Sequence, residues 1–132
     1  MTDTTETPRK SAVVTGSSRG IGRAVAEELA RAGFDVCVNC SSEGGLSAAR
    51  EQAAAREAEH GVRAIAVAAN VAEAAEAEAL VAAAHEAFGR VDVLVNNAGI
   101  TRDGLIARMK EEDFDAVVGV NLKGTFNCCH AA

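Results

Sequence analysis

The residues best placed to do chemistry are three glycines and an arginine in the stretch TGSSRGIG, residues 15–22. Gly16, Gly20 and Gly22 are spaced G-x-x-x-G-x-G between a short apolar run and a segment of helical period. Glycines at that junction let the backbone turn tightly and come close to a pyrophosphate. Its charge is stabilised by the free N–H groups and the positive dipole end of the helix that begins near Ile21. A turn that merely tolerates glycine is the alternative, but three glycines after a strand and before a helix favour the phosphate cradle. A second candidate is CVNC, Cys37 to Cys40, whose C-x-x-C spacing suits a redox or metal pair. On a strand, residues three apart point to opposite faces, and a redox pair needs a helix N-terminus to lower a thiol pKa. The pattern therefore predicts reduced, packed cysteines and no metal site. His60 and His85 have no nucleophile or metal partner at useful spacing and are assigned to structure or surface.

Charge around the cradle indicates which dinucleotide fits. An NAD site offers an acidic residue near the end of the second strand to hold the ribose 2′-OH. Here that strand ends Asn39-Cys40-Ser41-Ser42, neutral donors that do not repel a 2′-phosphate, and Arg19 inside the glycine stretch supplies a positive charge. The expected cofactor is NADP(H). A solvated loop cation is the other role open to Arg19.

Holding these residues requires a frame, and the sequence alternates short β-rich runs with longer helical ones. SAVVT (11–15) reads as a buried strand, followed by a helix with Ile21, Ala24, Val25, Leu29 and Ala32 on one face and Gly33 as its stop. FDVCVNC (34–40) is the second strand, and a helix from about Glu43 to His60 stops at Gly61. VRAIAVAA (62–69) is the third strand. A helix with Leu80, Ala83, Ala84, Ala87 and Phe88 at helical spacing ends at Gly89 and leads to a fourth strand, VDVLV (91–95). The β-α-β-α-β-α-β alternation predicts parallel strands with right-handed crossovers, a doubly wound α/β sheet. Near-continuous apolar strands fit a sheet covered on both faces.

At 132 residues and 48% apolar content the chain has the length for one domain with a real core. A net charge of −6 argues against nucleic-acid binding, which concentrates Lys and Arg against phosphates. Charge interrupts every apolar run well short of the roughly 18 residues a membrane span needs. MTDTTETPR (1–9) reads as a disordered leader with no signal-peptide core, so a cytoplasmic location is expected. The last stretch, VNLKGTFNCCHAA, places Leu122, Phe126 and Cys129 on one helix face, and no stop signal follows it.

TGSSRGIG, NNAG (96–99) and VNLKG (120–124), in that order, resemble the cofactor loop, the motif after the fourth strand and the catalytic-asparagine segment of the short-chain dehydrogenase/reductase family. The stretch from Asn96 to Asn127 is most similar to members that reduce 3-oxoacyl groups carried by an acyl-carrier protein, with reductases of CoA thioesters as near relatives. The resemblance implies a Rossmann-type sheet of order 3-2-1-4 and onward. It gives Gly16, Ser18, Arg19, Gly20, Ile21 and Gly22 the pyrophosphate and adenosine ribose, with Arg19 and Ser41 near the 2′-phosphate. Asn70 and Val71 fall beside the adenine, where Asn70 replaces the aspartate usual in the family. Asn97, Ala98 and Gly99 would line the cofactor channel and brace the sheet. Asn121 would be the first of the family's Asn-Ser-Tyr-Lys catalytic set; a helix N-cap is its other reading.

In that set a tyrosine acts as general acid with a tuned pKa. This chain contains no tyrosine. The expectation is an NADP-binding domain over residues 10–132 that is incomplete, truncated after four strands with the catalytic half absent, and unable to turn over by the family's mechanism. The fourth strand would then be an open edge, and association or aggregation is expected where the complete enzyme would be a homotetramer. A non-catalytic NADP-binding or partner-binding module, and a reductase of other short-chain substrates, are the alternatives. Arg102, Arg108 and Lys110 form a basic cluster that suits an acidic carrier protein, unless it is merely solvated surface.

Overall fold

The computed structural model describes residues 8–132. The leader assigned to residues 1–9 therefore lies outside the described residues except for Pro8 and Arg9, which are exposed. Four strands, β1 (Ser11–Val14), β2 (Asp35–Cys40), β3 (Ala64–Ala68) and β4 (Val93–Val95), form one parallel sheet in the order β3-β2-β1-β4. Val13 stands opposite Cys37 on β2 and Leu94 on β4, and Cys37 opposite Ile65 on β3. The expected doubly wound order is thus present, with each strand somewhat shorter than the apolar run that announced it.

Helices α1 (Gly20–Arg31) and α2 (Leu46–His60) cover one face, where Val38, Cys40, Ala49 and Ala53 form one apolar cluster and Ala30, Val36 and Val62 another. Helix α3 (Ala74–Phe88) and the C-terminal helix α5 (Gly124–Ala131) cover the other, enclosing Val13, Cys37, Leu80, Ala84, Phe88 and Cys128. Gly33, Gly61 and Gly89 stop their helices where the sequence places them. Asp35, fully buried at the start of β2, accepts the Arg63 N–H at 2.9 Å and pairs with its guanidinium at 3.2 Å. That guanidinium also lies 5.5 Å from the Phe88 ring centroid, tying β2, β3 and α3 together.

Four helical expectations are corrected. The buried face of α1 is Gly22, Ala26 and Ala30, whereas Ile21 is 77% exposed and Ala24 and Ala32 face solvent. Small residues face the sheet because the helix approaches it closely, which rotates the larger apolar stripe to the rim. The segment Glu43–Gly45 is a separate 3-10 turn before α2. Asn121 does not begin a helix: α4 (Glu111–Val117) passes through a π-helical stretch, Val118–Lys123, into α5, so Asn121 sits mid-helix and its N-cap reading fails. In α5 the buried residues are Gly124, Asn127 and Cys128, while Phe126 and Cys129, and Leu122 in the π-helical stretch before it, are exposed.

Candidate functional site

The carboxyl ends of β1, β2 and β4 bound a cavity of about 290 Å3, lined among others by Gly16, Ser18, Arg19, Gly20, Ser41 and Asn70. A doubly wound sheet binds its ligand at this position, where the strand order reverses between β1 and β4. Gly16 carries φ of +61°, a left-handed conformation that side chains disfavour, and a Cβ there would fall 3.0 Å from Ala98 Cα. At Gly22 a Cβ would meet Ser17 Cα at 2.9 Å and the Gly16 carbonyl oxygen closer still. Gly22 therefore does not touch the cavity; it lets α1 start directly beneath the loop. Arg19 precedes α1 in extended conformation and makes no side-chain cap. With no acidic residue in the first turn of α1, its free N–H groups remain available to an anion.

The loop is held from two sides. On one, the buried Thr15 hydroxyl accepts the N–H groups of Asn97 at 3.0 Å and Ala98 at 2.9 Å. The Asn97 carboxamide donates to the carbonyls of Thr15 and Gly16, each at 3.1 Å. On the other, Asn39 Oδ1 accepts the Gly16 N–H at 2.9 Å. Asn97, Ala98 and Gly99 line the cavity, with the polar end of Asn97 facing the loop backbone. Asn70 lines the cavity too, and its Oδ1 accepts the Ala72 N–H at 3.1 Å, shaping the turn into α3. Val71 completes that wall. The Ile21 side chain is 77% exposed, and its N–H lies in the first turn of α1.

Asn121 stands beside this cavity, next to Gly99 and Ile100 of its wall, without lining it. Its carboxamide brackets Ile100, accepting the N–H at 2.9 Å and donating to the C=O at 3.0 Å, and it lines a neighbouring pocket with Arg102 and Phe114. The widened π turn is what aims this side chain at the segment after NNAG. Arg19, Arg102 and Asn121 line another pocket, which shares Gly99 and Ile100 with the cavity. Of the basic cluster, Arg102 reaches Asp113 at 4.0 Å and Lys110 reaches Glu112 at 3.9 Å, so two of its three charges already have carboxylate neighbours.

Cys37 and Cys40 fall on opposite faces of β2, in different apolar clusters. Burial pushes the Cys37 thiol up to about 12 and raises that of Cys40, the opposite of a reactive thiolate. Glu27, Glu59 and His60 converge, and the buried Arg56 guanidinium sits among them, 3.4 Å from Glu59 and 4.0 Å from Glu27. Arg56 thus supplies the cation that this cluster needs. Sequence reasoning missed Thr15, whose only signal is a hydroxyl at the end of a buried strand. Among the described residues no helix is long and apolar enough to cross a membrane.

The fold, with a glycine-lined cavity at its switch point, defines a Rossmann-like doubly wound α/β protein. The family model described as short chain dehydrogenase matches residues 10–132, and the chain belongs to that family. It is 50% identical over 124 residues to the 3-oxoacyl-[acyl-carrier-protein] reductase FabG of Staphylococcus aureus, covering 93% of this chain and 49% of that protein. A crystal structure of a short chain dehydrogenase from Mycobacterium avium superimposes with a TM-score of 0.87 at 42% identity, over 94% of this chain and 46% of that one. A short chain dehydrogenase from Burkholderia cenocepacia, solved in complex with NADP, gives a TM-score of 0.87 at 41% identity, over 93% and 49%. The chain spans about half the length of the relatives it matches.

Proposed function

We propose that the chain is the NADP(H)-binding domain, residues 10–132, of a cytoplasmic reductase acting on 3-oxoacyl thioesters carried by an acyl-carrier protein or CoA. The observation that carries the cofactor assignment is the charge pattern at the cavity: Arg19 and Ser41 line it, and no carboxylate ends β2. The donor set fits a phosphorylated dinucleotide. The first N–H groups of α1 would take the pyrophosphate, Arg19 and Ser41 the 2′-phosphate, Asn70 and Val71 the adenine edge, and Ala98 and Gly99 the wall toward the reacting end. When bound, NADPH supplies the hydride for a 3-keto carbon.

What this chain's own residues do is bind and orient. Asn121 fixes Ile100 beside the cofactor channel, and the identity to FabG supports the substrate class. With no tyrosine in the chain, the general acid of the family's mechanism is not available from it, and the 132-residue polypeptide by itself is not expected to turn over. Titration of NADPH fluorescence tests the assignment. NADPH is expected to bind at least about tenfold tighter than NADH, and Arg19→Glu to abolish that preference, a tenfold ratio being about 1.4 kcal/mol. A chain that prefers NADH, or that reduces a 3-ketoacyl thioester at a normal enzyme rate, would refute it. Docking of a carrier protein at Arg102, Arg108 and Lys110, and tetramer formation, belong to this reading of the complete enzyme.

A further inference from the structure

Asn39 stands where a dinucleotide site reads the ribose, yet its polar atoms are turned into the sheet. The residue is 1% exposed. Its Oδ1 accepts the Gly16 N–H at 2.9 Å, and its Nδ2 donates to the carbonyls of Cys40 at 2.9 Å, Val67 at 3.1 Å and Ala69 at 3.3 Å. The orientation is self-consistent, because rotating the amide would set an NH2 against the Gly16 N–H and an oxygen against three carbonyls. Its backbone is committed as well: Ser17 N–H donates to Asn39 O at 2.9 Å, and Asn39 N–H donates to Ser17 Oγ at 2.9 Å. That hydroxyl in turn donates to Val14 O at 2.6 Å. One buried side chain therefore joins the first residue of the glycine loop to the ends of β2 and β3.

We propose that Asn39 is the positioning residue of the glycine loop and not a ligand of the nucleotide. Its carboxamide and backbone clamp Gly16 and Ser17 to β2 and β3, so the amide donors facing the cavity keep their spacing before any phosphate arrives. Pre-set donors bind an anion more tightly than donors that must be ordered by it. The inference rests on the dinucleotide-binding reading above and adds a consequence to it. With Asn39 so engaged and the Cys40 thiol directed at the Ser42 carbonyl at 3.3 Å, discrimination at the 2′-position falls to Ser41 and Arg19.

The test compares Asn39→Ser with the unaltered chain. A positioning role acts on the pyrophosphate site that both cofactors share. The dissociation constants of NADPH and NADH should therefore rise together, by about tenfold, with their ratio held within about twofold. Hydrogen exchange at the Gly16 and Ser17 amides should quicken by about tenfold or more while the Leu80 amide in α3 is unchanged. Loss of NADPH affinity alone would make Asn39 a direct 2′-phosphate ligand and overturn the proposal, as would unchanged exchange at Gly16. Should the serine variant lack a cooperative melt, Asn39→Thr is measured by the same two readouts, and the same results support or overturn the role. If the unaltered chain binds neither cofactor, the cofactor assignment fails, and exchange at Gly16 still decides the role of Asn39.

Discussion

At Thr15 one hydroxyl receives two backbone N–H groups from the segment after β4, and a residue of the same shape without that oxygen exposes what it does. Thr15→Val leaves the half-buried Ala98 N–H without its acceptor, while the Asn97 N–H keeps the Val95 carbonyl at 3.1 Å, a loss of about 1 kcal/mol. In urea the midpoint should fall with the slope unchanged, and a midpoint equal to that of the unaltered chain would show that the contact carries nothing. Thr15 and the polar ends of Asn39 and Asn97 share a property: their partners lie on another strand or the segment that follows it. Gly16 and Gly22 were legible as a tight turn and a close helix start because both are demands of the local backbone. The direction in which Asn39 points depends on carbonyls in and just after β3, 28 and 30 residues away. Local spacing marked the glycine loop, and only the sheet reveals which of its neighbours turn their polar ends to the backbone.

Elements were legible where period and stop signals agreed, as in α2 and α3, and less so where helices pack closely. The α1 stripe beginning at Ile21 misled because the sheet selects small residues, Gly22, Ala26 and Ala30, over large ones. The α4 helix had a signal, the acidic first turn Glu111, Glu112 and Asp113 that complements a helix dipole. In α5 the period identified a helix but not its inner face, since the buried positions include a glycine and an asparagine that no apolar count selects. The burial of Asn127 is compensated through its Nδ2, which donates to the Val71 carbonyl at 2.9 Å across the gap to the turn before α3. Asn127→Ala should therefore cost about 1–3 kcal/mol, although it removes a polar residue from an apolar interface. Phe126→Ala, at a ring that is 64% exposed, should cost less than about 1 kcal/mol. Thermal melts of the two variants decide which face of α5 is inward; the reverse order of effects would restore the face expected from Leu122, Phe126 and Cys129.

For the molecule as a whole, the sheet and its helices leave apolar surface that the described residues do not cover. β4 is bonded to β1 on one side alone, so the other edge of Val93–Val95 presents its backbone groups. The C-terminal helix comes near the end of that strand, since Asn96 Nδ2 approaches Cys129 Sγ at 3.4 Å, and Phe126 on it and Leu122 on the π-helical stretch before it are exposed. An open strand flanked by exposed apolar side chains is a template for pairing with another chain. The net charge of −6 opposes that pairing and is screened by salt. Light scattering should accordingly give a mass above the 13.5 kDa of one chain, rising with protein concentration and again between roughly 0.02 and 0.5 M salt. Replacing Leu122 and Phe126 together by Glu adds charge beside the edge while removing no buried contact, so it should return the mass toward 13.5 kDa and leave the melting temperature nearly unchanged. A chain that stays monodisperse at 13.5 kDa across those concentrations and salts would show that the β4 edge is already protected by its own twist and brevity.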